Sequence, residues 1–196
     1  MENRILIIGD ELMGEQGEAA NHAAEIILCR EANLPIQFYI NAPAPQSIPL
    51  FLARLASDII GKKAGRLVMG LGLRELRRAG GNGEAVAKTY GALVERLVNK
   101  TQGSLHFLTI PEDMFPEARF EVAYLNDVVR GFAMLSPQRV SVWDFAQHAA
   151  EYKEKQAERG KFARSLYNED GSSTSLGNML LALFLQECIL REVKRG

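Results

Sequence analysis

Five short runs rich in β-branched or aromatic residues alternate along this chain with longer stretches of helical period, and no other feature narrows its fold as much. Parallel strands need a crossover to connect them, so this alternation predicts repeated βαβ units around a parallel sheet. The predicted strands are Arg4 to Ile8, Ile36 to Ile40, Arg66 to Leu71, Ser104 to Ile110 and Arg139 to Trp143. They are mostly apolar throughout, as strands covered on both faces are. The clearest helix spans residues 84–99, where Val86, Tyr90, Leu93, Val94, Leu97 and Val98 form one apolar stripe. Further helices are predicted over Glu18 to Ala32, Pro49 to Ile60, Ala118 to Phe132 and Leu176 to Val193. The expected architecture is a single three-layer α/β domain over residues 1–196, with right-handed crossovers and helices on both faces.

With 47% apolar residues in 196, the chain is long enough to bury a sizeable core. Its 23 Lys+Arg against 24 Asp+Glu leave a net charge of −1, so neither nucleic acid nor a membrane surface is an expected partner, although a local basic patch can hide inside a neutral total. Cys29 and Cys188 make no disulfide framework and are expected to be buried free thiols. No Cys/His cluster has the spacing of a metal site, and no motif implies a cofactor. Ile5 to Ile8 is too short an apolar run for a signal peptide or a membrane span, so a cytoplasmic location is expected.

In an open parallel sheet, ligands bind beyond the carboxyl ends of the strands. Four segments should converge there: the one after the first strand (Gly9, Asp10, Glu11), the one after the second (from Asn41), the one after the third (Gly70 to Glu75), and the one preceding the last helix (Glu169 to Ser175). Ser172, Ser173, Thr174 and Ser175 precede a long apolar helix, where hydroxyls act as N-caps. That helix start, together with Asn41, is also the candidate position for a small or anionic ligand.

These segments resemble those of the SGNH or GDSL hydrolases, a family of esterases, acyl hydrolases and carbohydrate deacetylases on a flavodoxin-like sheet. Ile5-Leu6-Ile7-Ile8-Gly9-Asp10 is similar to the family's strand into Gly-Asp-Ser. The stretch from Arg66 to Glu75, with Gly72, is similar to its strand into Gly-x-Asn-Asp, and Asp170-Gly171-Ser172-Ser173 to its Asp-x-x-His block. The chain departs from the family at the reacting positions: Glu11 stands for the serine, Arg74 for the asparagine and Ser173 for the histidine. Asn41-Ala42-Pro43 offers no clear oxyanion-hole glycine, and only Asp170 of the triad is kept. A shorter stretch, Leu12 to Gly17, resembles the opening of a hydrogenase-maturation protease, with Gln16 where a ligating acid is expected.

Acyl transfer by the family's route needs a hydroxyl nucleophile, a base and oxyanion donors. His22 and His148 are predicted on helices and His106 in a strand, none of them at the histidine block. The leading expectation is therefore a pseudoenzyme in which Glu11 and Arg74 pair to close the ancestral site. One alternative is a rebuilt ester hydrolase in which Glu11, beside Asp10 and Asp170, activates water while Arg74 stabilises the oxyanion. Another is a homodimeric scaffold joined through Leu176 to Leu190, whose apolar residues go nearly all the way round. The polar stretch from Gln147 to Arg164 is expected to be a solvated helix or excursion.

Overall fold

The computed structural model of the protein describes residues 3–31, 33–42, 46–159 and 165–195. One all-parallel sheet runs in the order β2-β1-β3-β4-β5, with β1 Arg4–Gly9, β2 Gln37–Asn41, β3 Arg66–Gly70, β4 Ser104–Leu108 and β5 Val140–Trp143. The central strands are buried over nearly their whole length, whereas the edge strand β2 is only partly covered. Seven helices accompany them among the described residues: α1 Glu18–Arg30, α2 Ile48–Ala53, α3 Leu73–Arg78, α4 Gly83–Lys100, α5 Arg119–Gly131, α6 Phe145–Glu158 and α7 Ser175–Arg195.

The helices form two groups, α1 and α6 packing on α7, and α2, α3 and α5 packing on α4. Alternation along β4 shows how the sheet serves both. Phe107 meets Tyr90 of α4 at 6.0 Å between ring centroids and Phe132 at 5.2 Å, edge to face. His106, one residue earlier and on the opposite face, stacks on Trp143 at 4.5 Å.

Several expectations are corrected. The helix predicted over Pro49 to Ile60 stops at Ala53, because Arg54 leaves helical geometry (φ −107°, ψ 21°) and the chain continues as a π turn, Leu55–Ile59. α3 was read as loop. Cys29 is exposed, since α1 turns Ala19, Ala20, Ala23, Ala24 and Ile27 inward, whereas Cys188 is buried. The polar stretch begins as the solvated helix α6, while residues 160–164 lie outside the described set. α7 buries Leu180, Leu181, Leu185 and Ile189 and leaves Met179 and Leu183 exposed. Among the described residues, no helix is long and apolar enough to cross a membrane.

α7 passes so close to the segment before it that a Cβ on the buried Gly177 would collide with the carbonyl oxygen of Leu166. Helix propensity alone gives Gly177→Ala a gain of about 1 kcal/mol. The collision reverses the sign, and urea unfolding is expected to show a loss of roughly 2 kcal/mol. A more stable variant would show that α7 does not rest on that carbonyl.

Candidate functional site

The chain order reverses at β1, which has β2 on one side and β3 on the other, so the carboxyl ends of β1 and β3 mark the crevice where this architecture places its chemistry. Asp10 follows β1 directly and is fully buried. Its Oδ1 accepts the Leu12 N–H at 3.0 Å and starts the 3₁₀ turn Glu11–Met13. Its Oδ2 accepts the N–H groups of Gly72 at 2.8 Å and Arg74 at 3.1 Å, capping α3 from the neighbouring strand's loop. Gly72 has φ +116°, a backbone conformation that suits glycine.

A second carboxylate repeats the device. Glu75 Oε1 accepts the Ile48 N–H at 2.7 Å, tying α3 to the start of α2. Glu75 Oε2 and the Tyr90 hydroxyl are buried without a hydrogen-bond partner among the described residues. Burial, and then the charge of Glu75, push the Asp10 carboxyl up to about 7, against the opposing pull of its three N–H donors. Burial likewise raises Glu75, and burial with the charges of Asp10 and Glu75 raises Tyr90.

Glu11 faces two guanidinium groups. Its Oε1 lies 3.2 Å from Arg74 Nη1 and its Oε2 2.6 Å from Arg77 Nη1. Arg77 Nη2 also donates to the carbonyl oxygens of Met114 at 3.0 Å and Asp170 at 3.1 Å. Four segments distant in sequence thus meet at one side chain: the turn after β1, α3, the loop after β4 and the approach to α7.

The structure brings Asp10, Glu11, Gly72 and Arg74 together. Asp170 joins them only through its backbone carbonyl. Its exposed carboxylate accepts from the Ser172 hydroxyl and N–H, which hold its pKa below the usual range. Ser173 forms a backbone bridge with Tyr167. Thr174 Oγ1 accepts the Gly177 N–H and so caps α7, while Ser175 opens that helix exposed to solvent. Asn41 Oδ1 accepts from the Gln46 side chain at 2.8 Å. The sequence gives no sign of Arg77, and it marks Glu75 only as the end of a strand-end segment and Tyr90 only as part of an apolar stripe. The spacing of Arg77, three residues after Arg74, marks it as a same-face neighbour only once a helix is known to lie there.

No serine or threonine hydroxyl and no imidazole among the described residues is hydrogen-bonded to Asp10, Glu11, Arg74 or Arg77. His22 is exposed beside Glu25, His148 lies against Phe145 and Phe184, and His106 is buried beneath α7's face of the sheet. No group of three or more His, Cys, Asp or Glu among the described residues is placed to hold a metal ion.

The architecture is that of solved ester hydrolases. The acetyl xylan esterase AlAXEase superposes with a TM-score of 0.76 at 14% identity, over 95% of this chain and 99% of its own. LAE5, an alpha/beta hydrolase enzyme from the metagenome of Lake Arreo, Spain, gives 0.74 at 15% identity, covering 98% and 95%. Axe2, an acetylxylan esterase from Geobacillus stearothermophilus, gives 0.73 at 14%, covering 98% and 96%. Catalytic mutants of Axe2 replace a serine or an aspartate by alanine. No family model and no curated protein matches the chain. The likeness establishes that this chain shares their α/β fold.

Two measurements probe this geometry. Glu11→Ala leaves two guanidinium groups facing each other, and urea unfolding is expected to show a loss of about 2 to 3 kcal/mol, toward the low end for broken buried pairs because water partly reaches these side chains. Wild-type stability would mean that the network is idle. Because folded Asp10 holds its proton up to about pH 7 while the unfolded chain releases it near 3.8, Asp10 costs stability as pH rises through that window. Burial lowers His106 to about 4, which acts in the opposite direction over an overlapping range, so the Asp10 carboxyl itself must be followed. Its 13C resonance is expected to titrate near pH 7, and a midpoint near 4 would contradict the burial argument.

Proposed function

We propose that this protein is a non-hydrolytic relative of the ester hydrolases that share its fold, and that it acts by binding a small or anionic ligand at the loop face. One observation carries the reading: the residue directly after Asp10, where the resembling family keeps its nucleophilic serine, is a carboxylate held by Arg74 and Arg77. A carboxylate engaged by two guanidinium groups is not free to approach a substrate, and it is a poor nucleophile toward an ester. Arg77 is tied to Glu11 and to two carbonyls, so it is not placed as an uncommitted oxyanion donor, whereas Arg74 is tied to Glu11 through Nη1 and keeps a buried Nε without a hydrogen-bond partner among the described residues. Asp10, though it titrates near neutrality, is enclosed, and its oxygens are occupied by backbone donors.

A second reading, ester hydrolysis through a rebuilt site, draws support from the neighbours, which are esterases or hydrolases over nearly the whole chain. In it Glu11 leaves the network to activate water while Arg74 receives the oxyanion.

Hydrolysis of aryl acetates and of acetylated xylan by the purified protein separates the two. Wild type, Glu11→Gln and Arg74→Leu are all expected at the buffer rate. Turnover by wild type that is lost in folded Glu11→Gln would overturn the binding role and assign the carboxylate to the chemistry.

A further inference from the structure

A cleft of about 800 Å³ opens at the amino ends of β1, β3 and β4, at the opposite end of the sheet from the loops just described. Its size is that of a small-molecule pocket. Its walls come from the turn over residues 59–66, the segment over residues 100–105 and the last turn of α7. The chain as a whole is nearly neutral, but the charge here is one-sided. Among the described residues, Lys63, Lys100 and Arg195 line the cleft with one acid, Glu192, whose Oε1 is already taken by Arg195 at 3.2 Å. The ammonium groups of Lys63 and Lys100 have no hydrogen-bond or ion-pair partner among the described residues. Between these cations the lining is mixed, with Leu6, Ile60, Leu67 and Val193 beside Asn3, Thr101 and Gln102.

Two arginines hold the walls in place. Arg139 Nη2 donates to the carbonyls of Thr101 at 2.6 Å and Gly103 at 3.2 Å, fixing one wall. Arg66 Nη2 donates to the Glu192 carbonyl at 3.1 Å, fixing another to the end of α7. Ser104 also lines the cleft, and its Oγ lies 2.8 Å from His106 Nε2, while His106 Nδ1 lies 2.7 Å from Ser141 Oγ. Burial, reinforced by the charge of Arg66, keeps the His106 ring neutral above about pH 4. The Ser104 hydroxyl is thus a polar group on the cleft wall, held by a ring that stays neutral.

We propose that this basal cleft binds a small organic anion with an apolar body, its charged head met by Lys63, Lys100 and the Ser104 hydroxyl and its body lying over Ile60 and Val193. Apolar side chains beside unneutralised cations select for that combination over a bare anion or a neutral chain, because only it uses both. The site shares no residue with the loop face, so either reading can fail alone.

Titration of decanoate into the 15N-labelled full chain tests the proposal, with decanol and inorganic phosphate run beside it. Amide shifts are expected to cluster in residues 60–66 and 100–105, with decanoate bound about tenfold or more tightly than either control. Lys63→Gln/Lys100→Gln is expected to weaken decanoate about tenfold at an unchanged melting temperature, both side chains being exposed, and Arg74→Gln to leave it unaffected. Equal affinity for decanol or for phosphate, shifts scattered over the surface, or undiminished binding by the double variant would overturn it.

Discussion

The carboxylate of Asp10 holds the crevice end of the sheet together. It receives backbone N–H groups from its own turn and from the start of α3, 62 and 64 positions further along the chain, so the ends of β1 and β3 are fixed by one side chain. Burying a carboxylate is costly unless its lone pairs are satisfied, and three N–H donors meet that demand only partly, which is why its proton is held so tightly. Glu75 does the same for α3 and α2. Two acids that in an enzyme of this shape would invite a mechanistic role serve instead as clamps on backbone, and the loops carrying Glu11 and Arg74 meet because those clamps exist.

The Glu11 network then determines what the crevice is suited to. An acyl-transfer site keeps its nucleophile uncommitted and leaves its oxyanion donors waiting. Here the side chain after Asp10 satisfies two arginines, and one of those arginines also secures the loop after β4 and the approach to α7. These contacts join the loops, while Arg74 Nε remains buried without a hydrogen-bond partner among the described residues.

Much of this was legible in the sequence because burial on both faces leaves a plain signature. The runs around Ile5, Leu67 and Phe107 read as strands since they are mostly apolar, and the stripe from Val86 to Val98 reads as a helix since its period is unbroken. α3 was not legible. It has six residues, of which only Leu73 and Leu76 are buried, and its cap comes from a residue in another loop, so no local signal marks it. Arg77 was hidden with it. The meeting of Glu11 with Arg74 followed from the convergence of strand-end loops, whereas the role of Asp170 did not, because the chain uses its carbonyl and turns its carboxylate to solvent. The basic residues of the far cleft are scattered from Lys63 to Arg195, and a pattern read along one dimension gives no reason to group them.

The pairing of α1 with α7 bears on how the molecule is made. α1 leaves a ribosome well before α7, yet they pack along each other, and Lys194 reaches back to Glu31 at 2.9 Å. The alanine face of α1 therefore waits for almost the entire chain before its cover arrives, while α2, α4 and α5 can close the opposite face much earlier. Until α7 is made the apolar face of α1 lacks its main cover, and a chaperone that engages the chain during synthesis has that face to hold.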